Sequence, residues 1–98
     1  MYLIIEYRKV GCPVTNCHNC LEDIKKWLIT RGIYVRIDPT YSQKLDKIVW
    51  WAELFNLRLH DYNYKSFMRY SLPLMSYTYT EALIEGLKYA LKIINDQK

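Results

Sequence analysis

Tyr2-Leu3-Ile4-Ile5-Glu6-Tyr7-Arg8-Lys9-Val10-Gly11-Cys12-Pro13-Val14-Thr15-Asn16-Cys17-His18-Asn19-Cys20 is the stretch whose reading decides the fold. It opens on a short apolar run, passes through a loop that holds all three cysteines of the chain, and ends where an apolar-periodic segment begins. A run of this kind, rich in Ile and Tyr and ended by Arg8-Lys9, suits a strand buried on both faces. Residues 2–7 are therefore read as strand one.

From Leu21 the pattern becomes helical: Leu21, Ile24, Trp27 and Leu28 share one stripe, while Glu22, Lys25 and Lys26 point elsewhere. Either Asn16 or Asn19 caps this helix, the latter with Glu22 completing a box-like pair, and Gly32 closes it. Tyr34-Val35-Arg36-Ile37 alternates as a second strand up to the turn residues Asp38-Pro39. Strand, helix and strand in this order predict a right-handed βαβ unit with parallel strands.

Further along, Ser42 is read as the cap of a second helix with Leu45, Ile48, Val49, Ala52 and Phe55 facing inward. Trp50 and Trp51 lie beside that stripe and cannot both face it, so one of them marks a dimer or partner surface. Residues 56–71 mix aromatic, basic and polar side chains and read as a loop with an edge segment or a short helical turn. Leu72-Pro73-Leu74-Met75-Ser76-Tyr77 reads as a further strand, bordered by its proline. Thr78-x-x-Glu81 is a capping box ahead of Leu83, Ile84, Leu87, Leu91 and Ile94, with Lys88 and Lys92 late in the helix. The expected fold is α/β, with a βαβ start and a small sheet of three to four strands flanked by three helices.

A chain of 98 residues makes one domain, 1–98, that buries roughly two-thirds of its unfolded surface. With 51% hydrophobic and 24% charged residues, the composition argues against disorder. Ten tyrosines and three tryptophans serve mainly as packing, with an aromatic surface left over for a homodimer. A net charge of +4 falls short of a dedicated nucleic-acid binder, and the basic aromatic segment 58–70 reads as a solvated loop rather than a base-stacking platform. No apolar run reaches the length of a signal-peptide core or a membrane span, so a cytoplasmic protein without membrane contact is expected. In that compartment Cys-x-x-Cys points to redox chemistry or metal binding more than to a disulfide framework.

The order of elements, with Tyr7-Arg8-Lys9-Val10-Gly11-Cys12-Pro13, Lys26-Trp27-Leu28-Ile29-Thr30-Arg31-Gly32-Ile33 and Ser71-Leu72-Pro73, resembles the thioredoxin-like fold and its glutaredoxin branch. The resemblance implies disulfide exchange, with Pro73 as the cis-proline that faces the active-site cysteines. It also implies a second cysteine where this chain has Thr15, while Cys17-His18-Asn19-Cys20 supplies a Cys-x-x-Cys a few residues later. The glycine pair of the glutathione site is absent, so the implied substrate is a protein disulfide or another low-molecular-weight thiol.

A cysteine attacks as its thiolate, which a helix N-terminus favours. Cys17 is read as the attacking thiol and Cys20 as the buried resolving thiol on the face of Ile24, Trp27 and Leu28. His18 adds to thiolate stability when protonated, and Glu22 and Asp23 oppose it. Cys12 is a bystander, a regulatory thiol or, in the other register, the nucleophile. This reading needs no cofactor. The alternative is a non-catalytic binding or regulatory module in which the cysteines hold zinc through Cys12, Cys17, Cys20 and His60, part of an iron–sulfur cluster, or a structural disulfide.

Overall fold

The computed structural model describes residues 2–14, 20–61, 66–69 and 74–96, with the side chains of 60, 61, 66–69 and 74 left aside. Its elements run α1 (Tyr2–Lys9), α2 (Cys20–Thr30), β1 (Ile33–Ser42), β2 (Lys47–Asp61), β3 (Ser66–Arg69), β4 (Leu74–Ser76) and α3 (Tyr79–Asp96). The result is a mixed α/β domain of three helices and a small antiparallel sheet.

The apolar run expected as strand one is a helix. Leu3, Ile4 and Tyr7 are its buried residues, at the i, i+3/i+4 spacing of one helical stripe. Arg8 and Lys9 occupy its last turn, where cations complement the dipole. Gly11 then ends it at φ 98°. The Cys12 N–H donates to the Tyr7 carbonyl at 3.0 Å and the Gly11 N–H to the Arg8 carbonyl at 3.1 Å, the bond pair of a Schellman cap. Gly11-Cys12 is thus a helix C-cap, not a strand-to-loop passage, and the expected βαβ start does not form.

α2 matches its expected stripe, with Cys20, Ile24 and Leu28 buried. Gly32, at φ 81°, closes it as expected, its N–H donating to the Ile29 carbonyl at 3.0 Å. The chain then enters β1, which runs through Asp38-Pro39 instead of turning there. It pairs antiparallel with β2 from Ile33↔Asn56 to Ser42↔Lys47. Proline is tolerated because β1 is an edge strand.

Residues 47–55, expected in the second helix, form the first part of β2. Their apolar residues fit both periods: Val49 and Ala52 fall at helical spacing, but the side chains that face the helices are Trp50, Ala52 and Leu54, at spacing two. These pair across the sheet with Pro39, Ile37 and Val35. Ser42 is no helix cap; its Oγ accepts the Leu45 N–H at 3.3 Å within the hairpin turn.

β2 is central. It pairs with β1 along one edge and with β3 and β4, both antiparallel, along the other. β3 is the edge segment within the stretch read as loop, and it follows an irregularity in β2 between Asn56 and His60. β4 falls within the strand expected over 72–77.

α3 begins as expected, with the Thr78 Oγ1 accepting the Glu81 N–H at 3.1 Å. Its buried residues Ala82, Leu83, Gly86, Leu87, Ala90 and Ile94 face the sheet, where a Cβ on Gly86 would stand 2.9 Å from Val35 Cγ1 and 3.4 Å from the Ala52 Cβ. α2 and α3 cover one face of the sheet, and α1 packs against both helices. The 19 Å short axis of the molecule is one sheet plus one helical layer. No helix among the described residues is long and apolar enough to cross a membrane.

Candidate functional site

The Schellman cap of α1 turns the chain inward, so that Cys12 and Val14 join the core with Tyr7, Cys20, Ile24 and Leu28. Arg8 fixes this turn, its Nε donating to the Val14 carbonyl at 2.8 Å. Above it lies a cleft of about 230 Å³ lined by Cys12, Pro13, Val14, Asp23 and Trp27. Trp27 forms its wall through two contacts. Its ring meets Tyr7 edge-on, centroids 6.2 Å apart at 88°, and the Arg31 guanidinium lies 5.1 Å over it.

The electrostatics of this corner oppose ionisation of Cys12. The residue is 4% exposed, and burial pushes its thiol pKa up; the nearby Asp23 adds to this and a backbone hydrogen bond at Val14 subtracts from it. A disulfide-exchange nucleophile needs the opposite shift. Cys12 carries a free thiol, so it is not bonded to Cys20. Burial likewise raises the Tyr7 hydroxyl, whose proton is donated to the Leu87 carbonyl. That bond ties α1 to the middle of α3.

Cys20 is the first residue of α2 and only 3% exposed. It occupies the buried stripe on which the expected resolving thiol was placed. Glu22 and Asp23 share the first turn, and Glu22 accepts a hydrogen bond from the Tyr79 hydroxyl. This bond pushes the tyrosine pKa up to about 12, with burial contributing. It also clamps the N-terminal ends of α2 and α3 together.

The structure therefore brings Cys12 and Cys20 into one core. Cys17, His18 and Pro73, and with them the attacking thiol and the expected cis-proline, lie outside the described residues, as does the His60 side chain of the zinc alternative. Among the described residues no three His, Cys, Asp or Glu side chains gather as a metal cage. Tyr7, Arg8 and Arg31 were not anticipated here, whereas Asp23 was expected to oppose a thiolate and stands beside Cys12. Asp23 and Trp27 stand four apart on α2, which places them on one helical face, and that spacing was the available signal.

The adjacent tryptophans lie on opposite faces of strand β2, not beside the stripe of a helix. Trp50 packs on α3, its ring edge-on to Tyr79 with centroids 5.5 Å apart. Trp51 pairs with Asp38 and Met75 and lies on the opposite face of the sheet. There Tyr34 stacks on Phe55, and Arg36 lies 5.0 Å over the Phe55 ring. Arg36 also pairs with Asp38 at 2.8 Å and Glu53 at 3.1 Å. This network pairs the arginine with two carboxylates of its own chain.

Comparison with protein-family models, with curated proteins and with solved structures gives no match to this chain.

Proposed function

We propose that the chain is a small non-catalytic interaction module in which Cys12 and Cys20 act as compact core side chains. The observation behind this reading is their sequestration in the core. Both are nearly inaccessible, and burial holds the Cys12 thiol in its neutral form. A buried cysteine packs as a small hydrophobe and is chemically inert. The cleft beside Cys12 is small, below the usual size range of ligand pockets, about 300–1,000 Å³.

A second reading, a thioredoxin-like thiol–disulfide oxidoreductase, draws its support from Cys20 at the first position of α2, facing the core. In that reading Cys17 attacks a protein disulfide or small disulfide and Cys20 resolves the mixed disulfide.

Titration of the native protein with an aromatic disulfide reagent, followed by a disulfide-reductase assay, separates the two. The module reading expects Cys12 and Cys20 to react only on unfolding, with no turnover. Rapid labelling of Cys17 at neutral pH, a mixed disulfide trapped by Cys20→Ser and turnover of a model disulfide would overturn it.

A further inference from the structure

Three arginines from three elements meet where α1 and α2 end. Arg31, just before the glycine that closes α2, carries its guanidinium back over Trp27, 5.1 Å from the ring. One of its terminal nitrogens would stand 3.5 Å from a Cβ on Gly11, the glycine that closes α1. Arg8 flanks the same glycine: its carbonyl accepts the Gly11 N–H, and its Nε is held by the Val14 carbonyl at 2.8 Å. Arg58 arrives from β2 and lies across Gly32, where a Cβ would stand 2.9 Å from its Nε, 3.2 Å from its Cγ and 3.3 Å from its Cδ. Arg31 is the middle member, because Gly32 adjoins it in sequence and Gly11 lies beside its guanidinium.

These charges are held in place but not matched. All three side chains are exposed, and none of them joins an ion pair among the described residues. The Arg8 bond to Val14 is their one side-chain hydrogen bond there, so the guanidinium groups of Arg31 and Arg58 have no acceptor among the described residues. The neighbouring Lys9 is different, since Glu6 pairs with it at 3.0 Å. Asp23 lies two turns before Arg31 on α2, about 12 Å away along the axis. The two helix ends carry only about half a negative charge each, so three arginines leave an excess of about two positive charges. Cations packed on a ring and on a bare α-carbon, with their donors unmet, are already ordered for an incoming anion.

We infer that Arg8, Arg31 and Arg58 form a binding corner for a small ligand that carries two linked phosphates. Guanidinium forks match phosphate oxygens, and a phosphate offers more acceptors than the two of a carboxylate. Arg31 shares one phosphate with Arg8 and the next with Arg58. Arginines gathered around two glycines suit a compact ligand, whereas a nucleic acid spreads its phosphates along a track. The inference adds a ligand class to the module reading and involves no thiol.

Isothermal titration calorimetry of sodium pyrophosphate into the full chain at low salt tests it. Wild type should bind one equivalent with a Kd of about 1 mM or tighter, and Trp27 fluorescence should change as the guanidinium above it is drawn to the ligand. Arg31→Ala and Arg58→Ala should each weaken binding at least about tenfold, the effect of losing a charge-assisted bond. Lys44→Ala, in the hairpin turn at the other end of β1, should bind as wild type does. Far-UV circular dichroism verifies folding, and variants on two elements keep the test decisive should one of them fail to fold. A nucleoside diphosphate that binds more tightly than pyrophosphate would name a nucleotide as the source of the phosphates, and equal binding would name the inorganic group. No binding by wild type, an equal loss in Lys44→Ala, or binding of a single-stranded oligonucleotide without binding of pyrophosphate would overturn the inference. The thiol titration is independent: reactive Cys17 with turnover would remove the module reading and leave a measured phosphate site standing.

Discussion

Replacing Gly11 by alanine tests whether the N-terminal run is a helix or a strand. At φ 98° an L-residue lies in a region that its Cβ disfavours, at a cost of about 1–2 kcal/mol. Space is not the issue, because the nearest atom to a Cβ there is a terminal nitrogen of Arg31 at 3.5 Å. The unfolded chain loses some freedom on gaining a side chain, which offsets the cost by about 0.4–1 kcal/mol. The net expectation is a destabilisation of about 1 kcal/mol, or about 4–8 °C in Tm for a domain of this size. Urea unfolding followed by tryptophan fluorescence and circular dichroism measures it, with an unchanged m-value showing that the end states are preserved. In an extended passage the same change is neutral or stabilising. A Gly11→Ala protein at least as stable as wild type would therefore refute the Schellman cap and, with it, the placement of Cys12 in the core.

Other perturbations reach other parts of the structure. Gly86→Ala should destabilise by about 1–2 kcal/mol, since overpacking against Val35 and Ala52 outweighs the better helix propensity of alanine. Combining it with Val35→Ala should cost less than the two single changes added together, and a double-mutant cycle reads that coupling. Thr78→Ala removes the acceptor of the Glu81 N–H and should cost about 1 kcal/mol in urea unfolding. The buried Cys12 thiol titrates above its ordinary 9.0, so it stays protonated in the folded chain while the unfolded chain ionises. Its contribution is complete below the unfolded pKa and is lost as pH rises through the folded one. Stability should therefore fall above about pH 9, and less steeply in Cys12→Ala.

The helices with complete local signals were legible. α2 carries an uninterrupted stripe of Cys20, Ile24 and Leu28 with Gly32 behind it, and α3 carries a capping box and charges ordered along the dipole. α1 was not legible because it is short, and a helix of its length forms only through packing. Its apolar residues satisfy both periods until Tyr7 is seen to reach Leu87, eighty positions away in the chain. β2 failed for a related reason. Val49 and Ala52 suit a helical stripe, and only the pairing with β1 selects Trp50, Ala52 and Leu54 as the inner row. At the site, the burial of Cys20 followed from its place on the α2 stripe. The burial of Cys12 did not, because it depends on a left-handed glycine whose role appears only once α1 is known to be a helix.

Pro39 bears on how copies of this chain can meet. β1 pairs only with β2 among the described residues, so its far side offers main-chain donors and acceptors to any extended segment that drifts alongside. Such a rim can add strand upon strand without limit, the route by which folded domains turn into fibres. Proline lacks the N–H that this growth requires, and here it interrupts the rim near its middle. Association through the outer rim is thereby discouraged, even with Tyr41 and Ile48 exposed at the far end of the same hairpin.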